Sequence, residues 1–198
     1  MNYLIEQLGA SLFNQMSIEQ ISKNVDLQPA QTQNILGQAV PLILKGLMKN
    51  TQSQNGLSDL FSALVRDHDG GILGQMSDLI KNPSVAKGEG MLGHILGNKK
   101  NTLENQIGKT NNIDTQKIAK IFAIAAPIVM GILGRQRKQN NWDQTGLSDA
   151  LSKTNHDLRQ KSEKEIGLIE RMLDSDKDGS ISDDIASLGL NVLRRWMS

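Results

Sequence analysis

Three aspartates alternate along DSDKDGSISDDI, residues 174–185, at Asp174, Asp176 and Asp178, and Gly179 follows them directly. Carboxylates on alternate residues, bent around a glycine, present hard oxygen ligands to a large dication that takes six to eight of them. In a calcium-loop register these aspartates are positions 1, 3 and 5. Gly179 supplies the positive φ of position 6, Ser180 offers its carbonyl at position 7, and Ile181 is the apolar position 8. Position 12, ordinarily a bidentate Glu, is Ile185, so Asp184 is expected to close the shell, with Asp183 or Ser182 contributing through water. The expected cofactor is Ca2+, held weakly at Asp174, Asp176, Asp178, Ser180 and Asp184. The competing reading is an acidic turn whose carboxylates only cap the neighbouring helix.

Other residues with chemistry to offer are sparse. Asp67, His68 and Asp69 stand together in DHDGG, but adjacent residues in a turn rarely converge on one ion, and a polar loop closing a helix is the favoured reading. His94 lies between aliphatics in GHILG and is expected to be a half-buried, satisfied histidine, whereas His156 reads as surface. Arg135, Arg137 and Lys138 with Trp142, or Arg194 and Arg195 with Trp196, could stack on nucleic acid. Each cluster is small, and 22 basic against 21 acidic residues leave a formal charge of +1, so a solvated face is expected and no nucleic-acid partner. The absence of cysteine excludes disulfides, zinc-thiolate sites and cysteine nucleophiles. Serine-hydrolase, P-loop, Rossmann and HExxH signatures are also missing.

The elements that position these residues read as helices. The acidic loop follows HDLRQKSEKEIGLIERML, whose Leu158, Ile166, Ile169, Met172 and Leu173 form one inward stripe. It precedes ASLGLNVLRRWM, with Leu188, Val192, Leu193 and Trp196 on another, which makes helix, loop, helix. Near the N-terminus, Leu4, Ile5, Leu8, Leu12 and Phe13 predict a first amphipathic helix, and Ser17 with Gln20 fits a capping box opening a second.

Between these ends lies an internal repeat. A shift of 86 residues carries Ile21 onto Ile107 and aligns ISKNVDLQPAQTQNILGQAVPLILKGL with IGKTNNIDTQKIAKIFAIAAPIVMGIL without a gap. Pro41 falls on Pro127, and a GLSD tetrapeptide follows each copy at Gly56–Asp59 and Gly146–Asp149. Pro29 suits the first turn of one helix and Asp114 the cap of its counterpart. A proline inside a helix removes one backbone bond and costs about 3 kcal/mol. A kink, or a break into two helices, is therefore expected in both copies, and the apolar residues around each proline mark both segments as core.

GGILGQM and GMLGHILGNKK, between the copies, predict short helices packed closely at glycines, while RQRKQNNWDQT, residues 135–145, predicts an exposed loop. The longest apolar run, residues 121–134, is well short of the roughly 20 residues a bilayer needs. It reads as a buried core helix, and no membrane span is expected. The N-terminal MNYLIEQLGASLF lacks a basic leader and a cleavage site, so the expected compartment is the cytoplasm. The expectation is an all-α, internally duplicated helical bundle. Its first domain is 1–150, with repeat units about 21–60 and 107–151, and residues 151–198 form an EF-hand-like helix-loop-helix packed on the same body.

The segment GEGMLGHILGNKKNTLENQIGKTNNIDTQKIAKIFAIAAPIVMGILGRQ resembles the bacterial domain-of-unknown-function family 937, as do QTQNILGQAVPLILKGL, the GLSDL stretch and RDHDGGIL. The terminal DSDKDGSISDDIASLGL looks like an acidic tail common in that family. The resemblance implies a bacterial helical protein without an established activity, cofactor or partner. The leading expectation is a non-enzymatic calcium-binding scaffold or interaction module, open to a protein partner or self-association. The alternative is an enzyme or small-ligand-binding protein whose site lies between the copies, near His68 and His94.

Overall fold

In the computed structural model the described residues are 3–82, 87–161, 167 and 169, and their regular elements are all helical. In chain order these are α1 (Tyr3–Leu12), α2 (Gln15–Val25), α3 (Pro29–Asn50), α4 (Gln54–Arg66), α5 (Met76–Lys81), α6 (Gly88–Leu96), α7 (Lys100–Asn111), α8 (Thr115–Gln139) and α9 (Gln144–Lys161). Short 3-10 segments, Gly71–Gln75 and Gly97–Lys99, lead into α5 and α7.

At the centre α3 packs on α8. An ordinary surface helix buries one stripe, but residues 35–48 of α3 and 121–134 of α8 are buried without interruption. These two stretches stand 86 residues apart, the spacing of the sequence repeat. By length and composition α8 would cross a membrane, yet 83% of its apolar window is buried within the protein, as in a core helix. Pro41 and Pro127 each lie inside one continuous helix, so the chain breaks at neither. Burial on every side of both helices outweighs the lost backbone bond.

The turn before each central helix is built the same way. Asp26 closes α2 in the left-handed region (φ 53°), and Asn112 closes α7 there (φ 52°). The Leu27 amide donates to the Ser22 carbonyl at 3.0 Å and the Ile113 amide to the Gly108 carbonyl at 2.9 Å, ties that satisfy the last carbonyls of each helix. Pro29 then takes the first position of α3, and the Asp114 carboxylate caps α8 by accepting from the Gln116 amide at 2.7 Å.

Links run crosswise between the two halves. Asn34 of α3 donates to Asn111 of α7 at 3.1 Å, while Lys117 of α8 donates to the Asp26 carbonyl and carboxylate at 2.6 and 3.0 Å. At the other end, Asn50 of α3 donates to the His94 and Ile95 carbonyls of α6, and Arg135 of α8 donates to Gln7 of α1 at 2.6 Å. The buried Lys45 of α3 donates to Asn155 of α9, and the Arg137 guanidinium of α8 sits 5.7 Å over the Phe61 ring of α4. Each central helix is thus gripped by outer helices from the other half.

Three local expectations are corrected. The cap of α2 is Asn14, whose side chain accepts from the Ser17 amide at 2.9 Å and donates to the Ala10 carbonyl at 2.8 Å. One residue therefore ends α1 and opens α2, and Ser17 lies inside the helix with its hydroxyl bonded to the Ser11 carbonyl. Residues 135–145 are not a loop: α8 continues to Gln139 with Gln136 buried, and α9 begins at Gln144. The glycine contacts are selective. Gly88 meets the Ala123 carbonyl and Gly134 the His68 carbonyl, whereas Gly74, Gly90 and Gly93 face open space.

Candidate functional site

The Asp67–Gly71 turn is fastened by its own polar groups. His68 extends from the end of α4 with its amide bonded to the Ala63 carbonyl at 3.0 Å, and Gly70 turns the chain at φ 100°. The Asp69 carboxylate accepts from the Gly71 amide at 3.0 Å and from Lys138 at 3.3 Å, interactions that hold its pKa below the ordinary value. The missing β-carbon at Gly134 lets the His68 carbonyl lie directly on α8.

That turn forms one wall of a cavity of about 1220 Å³ between α4 and α6. Leu47, Leu60, Ile72, Met91, Ile95 and Met130 supply its apolar surface, and His68, His94, Asp59 and Asp67 its polar one. Burial lowers the pKa of His68, opposed by the nearby Asp67 charge, so the imidazole is neutral at neutral pH. A neutral imidazole both accepts and donates a hydrogen bond. Asp67 is itself paired with Arg66 at 3.2 Å. His94 is exposed, not half-buried, because it faces outward from α6 while Leu92, Ile95 and Leu96 turn inward. His156 is exposed, as its surroundings in the sequence indicate.

No group of three His, Asp or Glu suited to a metal occurs among the described residues, and Asp69 of DHDGG is engaged by its own turn and by Lys138. The five calcium-loop residues, Asp174, Asp176, Asp178, Ser180 and Asp184, lie outside the described residues, as do Arg194, Arg195 and Trp196. The basic cluster at the end of α8 serves the fold. Arg135 is bonded to Gln7, Lys138 is paired with Asp69, and Arg137 covers Phe61. Lys138 remains on a solvated face, as the sequence indicates, while Arg135 and Arg137 are partly buried against their partners.

Two buried charges gave no sequence signal. Lys45, 5% exposed, meets Asn155 between α3 and α9. Glu104, 3% exposed, lies beside Lys100 with oxygen–nitrogen separations of 3.4 Å, and burial raises its pKa against the pull of that lysine.

A family model described as a bacterial protein of unknown function, DUF937, matches residues 6–136. The chain belongs to this family. The DUF937 match runs from α1 to the last turns of α8, so it takes in both central helices, the histidine turn and both walls of the cavity. It stops before α9, and the acidic DSDKDGSISDDIASLGL segment lies beyond it. No curated protein and no solved structure matches the chain.

Proposed function

We propose that this DUF937 chain is a non-enzymatic helical scaffold, an interaction module of the bacterial cytoplasm that binds calcium through its C-terminal loop. A duplicated helical unit, a bend at each internal proline and an EF-hand-like helix-loop-helix belong to this proposal. The left-handed caps at Asp26 and Asn112 and the equally spaced buried stretches of α3 and α8 support the duplication. Leu158 and Ile169, both fully enclosed in the hydrophobic core, support the packing of the segment before the acidic loop on the helical body. They precede Asp174, Asp176 and Asp178 in the chain, whose alternate carboxylates before Gly179 have the spacing of a calcium loop. Within α9, Asn155 also accepts from Lys45 of α3.

Calorimetric titration with calcium chloride tests this reading. Saturable heat that disappears on Asp176→Ala is expected, and no heat from the unaltered protein removes the calcium claim. Sedimentation with and without calcium reports whether a second copy is recruited.

A second reading, an enzyme or small-ligand-binding site near His68 and His94, is favoured by the cavity that both histidines line. A small molecule that moves the imidazole resonances of both residues together would favour it. Resonances that never respond together would count against it.

A further inference from the structure

We propose that a second cavity, between α1, the end of α8 and the start of α9, is a binding site for a neutral carbohydrate ring. The proposal is independent of the calcium loop and of the histidine cavity. The space measures about 670 Å³, within the roughly 300–1,000 Å³ usual for small-molecule sites. Its position mirrors that of the histidine cavity. There the first turns of α4 at Gly56 and Asp59 face α6; here the corresponding GLSD turn of α9, at Gly146 and Asp149, faces α1. The lining has changed in chemical character.

Aromatic residues are only 3% of the chain, yet its single tyrosine, Tyr3, and Trp142 both line this space. Trp142 is held in place before any ligand arrives. Asn141 ends α8 in the left-handed region, the Trp142 amide donates to the Arg137 carbonyl at 3.0 Å, and the next residue, Asp143, caps α9 at the Gly146 amide at 2.8 Å. A β-carbon on Gly146 would come within 3.2 Å of the Trp142 side chain, so this glycine lets the indole lie against α9. A fixed aromatic face such as that of Trp142 is a flat, weakly negative platform for the C–H face of a pyranose ring.

Around them stand groups suited to hydroxyls. The Tyr3 hydroxyl, the Trp142 indole N–H, the Asp149 carboxylate and the Lys153 ammonium make no hydrogen bond or ion pair among the described residues. Gln139 adds a side-chain amide N–H2, since its bond with Gln136 uses only its oxygen. Donors and acceptors are therefore both present, as a hydroxyl needs. One carboxylate and one ammonium leave the lining formally uncharged, which disfavours phosphorylated ligands and nucleotides.

Trp142 emission, read in a Trp196→Phe background, tests the site with maltose, cellobiose and N,N′-diacetylchitobiose as probes and glucose 6-phosphate as the charged comparison. At least one neutral disaccharide should give a saturable change, and the phosphorylated sugar a weaker one. Tyr3→Ala and Asp149→Asn, both at exposed positions and checked for an unchanged thermal transition, should each weaken binding about tenfold. The proposal is overturned by a flat response to all three disaccharides, by preference for glucose 6-phosphate, or by undiminished binding in both variants.

Discussion

The carbonyl of His68 rests against Gly134 in the space a β-carbon would fill. This contact seats the histidine turn on the central helix. Gly134→Ala should therefore push the turn off α8 and cost about 1–3 kcal/mol, the usual range for overpacking a dense core. Gly93→Ala is the control: this glycine lies inside α6 with open space around it, so alanine should add about 0.5–1 kcal/mol of stability. Urea unfolding of both variants measures the contrast, and equal effects would contradict the close approach.

Asn14 should outrank Ser17 as the determinant of where α2 begins. Removing the cap in Asn14→Ala is expected to cost about 1 kcal/mol, because the Ser17 amide loses its acceptor. Ser17→Ala removes the hydroxyl bonds to the Ser11 carbonyl and from the Asn14 side-chain amide but leaves the cap itself in place, and should cost less. Paired denaturation curves decide the order.

His68 makes stability depend on pH in one direction. Its folded pKa lies below 6.5, so as pH falls through 6.5 the unfolded chain takes up the proton first and the folded state loses stability. That loss should continue until pH passes the lowered folded value and then level off. His68→Gln should flatten the decline, as thermal melts at successive pH values would show. If its slope matches that of the unaltered protein, the buried imidazole is not its source.

Glu104 acts in the opposite sense. Its folded pKa is raised above 4.5 by burial, with Lys100 offsetting part of the shift and Glu89 adding to it. Stability from this group is fully present below 4.5 and is lost as pH rises through the raised folded value. Glu104→Gln, which keeps the shape without the charge, should be more stable than the unaltered protein at neutral pH and show no advantage in acid. Chemical denaturation at both ends of that range checks the sign.

Much of the α-helical framework was legible along the chain. Residues 121–134 are apolar on every face, which requires a central helix, and the 86-residue shift places α3 in the same role. The left-handed caps at Asp26 and Asn112 fall just before helix starts that Pro29 and Asp114 announce. Local signals suffice there because capping and periodic burial act within one or two turns.

Where α8 ends was not legible, since RQRKQNNWDQT has the composition of a loop. Gln7, Phe61 and Asp69, distant in sequence, are the groups that Arg135, Arg137 and Lys138 meet along the helix as it continues to Gln139. His68 and His94 could be placed together from the sequence, between the copies, whereas the sharing of one cavity by Tyr3 and Trp142 was invisible, because that cavity is assembled from helices of opposite halves. Sequence alone determined that this chain forms helices and which two must be central. Tertiary structure decided which side chains share a cavity, because that depends on crosswise packing with no short-range pattern to record it.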